Sequence, residues 1–153
     1  MLTKSASTKA LYGFIQEKNV KFKDIPYNDV LFVEIKPLEG NPERNATVVL
    51  KVTDKKSEVH GEDTVEFNYR RWDINEYLFV DNNELTIDSL DPENPKASVE
   101  DYLTSLETSL TASLRQSLTR EIVVDEDAGE ALVEYTANGV QYFGSRSIVV
   151  KLK

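Results

Sequence analysis

Apolar residues recur along this chain with two different periods. Between residues 98 and 119 the period is helical: Leu103, Leu106, Leu110, Leu114 and Leu118 follow one another at steps of three or four. That spacing puts five leucines on one stripe and predicts a single amphipathic helix over about 98–118. Ser98 stands where an N-cap is needed, and Asp101 is placed to reach back to it. Glu100, Asp101 and Glu107 lie towards the start and Arg115 and Arg120 towards the end, as the helix dipole favours. A second, shorter helix is expected over residues 7–18, capped by Ser7 or Thr8, facing inward with Leu11, Phe14 and Ile15, and stopped at Asn19. Alone it is too short to hold together. Either it packs on a sheet, or residues 1–19 form an arm that reaches a neighbouring subunit.

Elsewhere the period is two, the period of a strand. Residues 30–35 alternate with Leu31, Val33 and Ile35 on one face, and Pro37 ends the run. Residues 47–53 carry Val48, Leu50 and Val52 inward, and 64–69 return with Val65, Phe67 and Tyr69, which makes an antiparallel hairpin around a polar tip at 54–63. Short strands follow at 84–88, with Leu85 and Ile87 inward, and at 122–124. An acidic turn at 125–129 leads into 130–136. After an Asn138-Gly139 turn come 140–143, a bend at 144–146, and a last strand at 147–152 with Ile148, Val150 and Leu152 aligned. A leucine-faced helix in so β-rich a chain needs a sheet to cover it. The expected fold is therefore α+β: a mostly antiparallel sheet or sandwich of about seven short strands, with the leucine helix packed on it and a short N-terminal helix. At 153 residues the simplest organisation is one domain over 1–153.

Composition narrows the chemistry. There is no cysteine and only one histidine, His60, so thiolate chemistry and the usual Cys and His zinc sites are excluded. The net charge of -9 repels nucleic-acid phosphates, so no nucleic acid is expected as partner. No run approaches the roughly 20 apolar residues of a membrane span, and the N-terminal segment lacks the continuous apolar core of a signal peptide. Synthesis in the cytoplasm and no membrane contact are the expectations. There is no G-x-S-x-G, no HExxH and no Gly-rich phosphate loop. Asp125, Glu126 and Asp127 lack the spacing of a calcium loop. Catalytic, cofactor-binding and metal residues are therefore expected to be none, and the chain is read as not an enzyme. One cluster stands out: Arg70, Arg71 and Trp72, followed by the aromatics Tyr77 and Phe79. Trp72 either enters the core under an arginine or anchors an interface, a use for which tryptophan and arginine are favoured.

The order of elements carries a resemblance. A short N-terminal helix precedes a strand headed by Asn45-Ala46-Thr47. A Tyr69-Arg70 strand runs to Asp73-Ile74, and a Leu85-Thr86-Ile87 strand precedes a helix with Leu103 and Leu106. An Ile122-Val123-Val124 strand and a terminal hairpin complete the order. This resembles a group of small β-rich virion structural proteins of large tailed bacteriophages. The resemblance implies a non-enzymatic subunit of the particle, a capsid decoration or head- or tail-associated protein, made in the host cytoplasm and located in the virion. It implies other virion proteins as partners, major capsid or tail subunits, and homo-oligomers. The other reading is a soluble acidic binding or adaptor module, or an inhibitor, outside the virion.

Overall fold

The computed structural model describes residues 2–53, 64–79, 81 and 83–152, apart from the Tyr77 side chain. The expected hairpin tip with His60 lies outside the described residues. Length alone suggests one domain, but length says nothing about where apolar side chains gather. Here they gather in two separate cores, one in each of two compact units, Met1–Arg71 and Trp72–Lys153.

The first unit is a three-stranded antiparallel sheet with a helix on it. Helix α1 (Ala6–Lys18) begins one residue earlier than expected and is capped by Ser5 in place of Ser7 or Thr8, because Ser5 and Thr8 cap each other reciprocally. Asn19 stops it, donating from Nδ2 to the Ile15 carbonyl at 2.9 Å. The buried face is Thr8, Tyr12 and Ile15, and Phe14 is 52% exposed. Of the expected inward face Leu11, Phe14 and Ile15, Ile15 is buried and Leu11 packs against the core, and only Phe14 is corrected. Tyr12 outcompetes Phe14 because its hydroxyl finds a buried acceptor, the Ile25 carbonyl, at 2.7 Å. The helix docks on its own unit's core, which is the packing role weighed for residues 1–19.

Strands β1 (Val30–Pro37), β2 (Ala46–Val52) and β3 (Val65–Tyr69) lie in that order, and β2–β3 is the antiparallel hairpin expected. In β1 the expected phase fails. Val30 and Phe32 are buried, not Leu31 and Val33. A bulge between Phe32 and Glu34 leaves Val33 without a counterpart on β2, and so returns Ile35 to the core side.

The second unit is a five-stranded mixed sheet covered on one face by helices. Strands β6 (Leu118–Asp125), β7 (Glu130–Asn138) and β8 (Tyr142–Lys151) form an antiparallel meander. The far side of β8 takes two short strands, β4 (Trp72–Asp73) and β5 (Glu84–Thr86), both parallel to it. Helix α2 (Ile74–Tyr77) follows β4, with Asp73 capping it by accepting from the Asn75 N–H at 2.9 Å. Strand β8 runs unbroken where a bend at 144–146 was expected, because Gly144 takes a positive φ of 99° inside the strand.

The leucine stripe reaches the core, but not as one helix. Helix α3 (Pro95–Glu107) and helix α4 (Ala112–Ser117) are separate, and Leu118 is already strand. The hydroxyls of Thr108 and Ser109 donate back to the carbonyls of Ser105 and Leu106 at 2.6 and 2.8 Å, which competes with helix continuation. Thr111 then caps α4, its Oγ accepting from the Leu114 N–H. Nor is Ser98 the cap: α3 starts at Pro95, a favoured first position, and Ser98 Oγ instead accepts from the Asp91 N–H at 2.8 Å. All five leucines still join one cluster, together with Val99 of α3 and with Ile122, Val133, Ile148 and Val150 of the sheet.

Candidate interaction surfaces

The five residues singled out by sequence do not share one role. Arg70 is exposed, whereas Arg71 is only 6% exposed, and burial lowers the pKa of its guanidinium. The Arg71 backbone is clamped by Asn45, which accepts from its N–H at 2.7 Å and donates to its carbonyl at 3.0 Å. Trp72 is 54% exposed on β4, so the reading of a core tryptophan is corrected. Its backbone N–H donates to the Gln141 carbonyl, and the register sets it beside Tyr142, which takes the buried position instead. Phe79 packs edge-on against Tyr135, ring centres 5.9 Å apart, with a left-handed φ of 52°. Arg146 holds that turn by donating to the carbonyls of Leu78 and Phe79 and to Asn83 Oδ1. The Tyr77 side chain lies outside the description.

Sequence reading missed a charged network under the helices. Glu107 is 9% exposed, on the inner side of α3. Both its carboxylate oxygens accept from Arg120, and Oε1 also accepts from the Tyr135 hydroxyl at 2.8 Å. Arg120 reaches on to Thr104 Oγ and the Glu100 carbonyl. Burial, and then the bond to Glu107, push the Tyr135 pKa well above the usual phenol range, while for Arg120 the lowering effect of burial is outweighed by Glu107 and its neighbours, which hold it above its ordinary value. Every member is tied to another, so this network fixes α3 to β6 and β7 and offers no free group to a substrate. The legible signal was a glutamate at a stripe position, four residues beyond Leu103.

Two open surfaces stand out among the described residues. On the outer face of the second unit's sheet, Val123, Leu132 and Val149 line up across β6, β7 and β8. Val123 is 58% and Leu132 53% exposed. Beside this row Glu121 faces Glu134 directly across the strands, a like-charge pairing that costs stability. Asp125 faces Glu130, which also binds Lys151 at 2.7 Å. In the first unit, a groove runs between α1 and β3, lined in part by Phe14, Phe67, Arg44 and Arg70. Charge divides unevenly: residues 1–71 carry 12 basic and 11 acidic residues, residues 72–153 six and 16.

Among the described residues no three His, Asp or Glu side chains converge as a metal site, and no helix is long and apolar enough to cross a membrane. No family model, curated protein or solved structure matches the chain.

Proposed function

We propose that this chain is a non-enzymatic structural subunit of a tailed-phage virion, a capsid decoration or head- or tail-associated protein that works by contact with major capsid or tail subunits. The setting rests on the resemblance in the order of elements. The contact role rests on one observation, the apolar row Val123–Leu132–Val149 left open on a sheet whose other face packs against its own helices. Contiguous exposed apolar surface rimmed by charge is the usual mark of a binding face. Repeated copies make even a modest face sufficient, since each added contact is made at high effective concentration.

The test is to band particles of the phage that encodes the chain on a density gradient and probe them with an antibody against it. The expected result is co-banding at a constant ratio to the major capsid or tail protein. Particles that lack the chain would overturn the virion setting. Val123→Ser with Leu132→Ser should lower incorporation while leaving the circular dichroism unchanged, because both side chains are already more than half exposed. The acidic excess of residues 72–153 favours the second reading, a soluble acidic binding or adaptor module or inhibitor, should the chain stay in the supernatant.

A further inference from the structure

Strand β3 ends the first unit's sheet, and among the described residues no strand pairs along its outer side. Such an edge presents backbone N–H and C=O groups to any extended chain that arrives. Beside it lie two adjoining hollows that share Lys18, Asn19 and Phe67. One, of about 590 Å³, reaches Phe14 and Arg70; the other, of about 550 Å³, reaches Val20 and Val65. Together they follow β3 for its whole length, room for about five residues of strand at ~3.3 Å each. The walls are mixed, with apolar side chains at Phe14, Val20, Val65 and Phe67. Phe14 is 52% and Val20 87% exposed, and Phe67 is held by an edge-on contact with Phe22 at 5.1 Å.

The rim is basic. Lys18, Lys21, Arg44 and Arg70 are all exposed around the two hollows. Among the described residues that line the hollows the carboxylates are Glu43 and Glu66, and Glu66 is paired with Lys36 at 2.7 Å. A local excess of cations in a chain of net charge -9 selects for an anionic visitor. We infer that this groove takes an extended acidic segment of a partner protein, added as a strand along β3, with apolar side chains against Phe14 and Phe67 and carboxylates towards Arg44, Arg70, Lys18 and Lys21. Backbone pairing supplies affinity and the alternating side chains supply selection. The inference goes beyond the virion reading and stands whether or not the chain belongs to a particle.

The probe is a short, capped, fluorescein-labelled peptide of alternating Val and Glu, followed by fluorescence anisotropy against the full chain. Its controls are the matching Val and Lys peptide and a Val and Glu peptide methylated at alternate backbone nitrogens. Saturable binding of the first peptide alone is expected, weaker in high salt and at least about tenfold weaker in R44E/R70E. Both arginines are exposed, so that variant should keep the wild-type circular dichroism. Equal binding of the Val and Lys peptide, indifference to backbone methylation or to R44E/R70E, or no saturation at all would each overturn the inference. So would concentration-dependent self-association that R44E/R70E abolishes, because that result assigns the groove to a second copy.

Discussion

Tyr12 and Tyr69 carry the clearest consequence at the scale of single residues. Burial raises both phenols to a pKa of about 12, from an ordinary 10.0. Below pH 10 the phenols are protonated in the folded and unfolded chain alike, and their contribution to stability is fully present. Between about 10 and 12 the unfolded chain releases these protons while the folded chain holds them, so stability falls across that window. In a spectrophotometric titration, Tyr12 and Tyr69 should ionise late and together with loss of structure. Ionisation of all seven tyrosines near 10 with the fold intact would count against this burial. Two glycines predict opposite signs. At Gly144 a Cβ would run into Asp73 Oδ1, and φ is already left-handed, so Gly144→Ala should cost more than about 1 kcal/mol. At Gly13, inside α1, a Cβ meets nothing, so Gly13→Ala should stabilise by up to about 1 kcal/mol in urea denaturation.

At the scale of elements, the leucine period identified the core contributors, while the continuity of the helix turned on hydroxyls. Thr108, Ser109 and Thr111 offer the backbone local partners, and the chain breaks there into two helices joined by a turn. In β1 the run from Val30 to Ile35 is apolar in both phases, so alternation could not choose a face, and the bulge at Val33 let residues from both phases in. The Glu107–Arg120–Tyr135 network joins α3 to β6 and β7. Arg120→Met alone should cost about 3 kcal/mol, because it strands a largely buried carboxylate. Adding Glu107→Leu and Tyr135→Phe should recover most of that loss, since an apolar replacement of the whole network removes the desolvation cost. A triple variant that is less stable than Arg120→Met would show that the network stabilises the fold beyond what packing can replace.

For the whole molecule, charge is the property that decides. Residues 72–153 hold 16 acidic against six basic residues, and Glu121 sits opposite Glu134. Repulsion of this kind is screened within about 10 Å at ~0.1 M salt. The exposed pair Lys36–Glu66 and the half-buried pair Lys151–Glu130 lose little by the same screening. The melting temperature should therefore rise as sodium chloride is increased from about 0.01 to about 0.5 M. A fall would mean that attractive pairs outweigh the repulsion.

The sequence by itself determined most of the strands, the N-terminal helix, the five leucines of the second core, the β2–β3 hairpin and the return of β7 along β6. Each of these is encoded over a few residues, by period, turn or breaker. Only the tertiary structure decided which face of α1 is buried, that β4 and β5 both join β8 in parallel, that Trp72 stays at the surface, and that Glu107 is matched by Arg120 and Tyr135. These outcomes depend on partners distant in the chain, as Arg146 is 68 residues from the Leu78 carbonyl it binds. No local pattern records which distant group will arrive to satisfy a buried one.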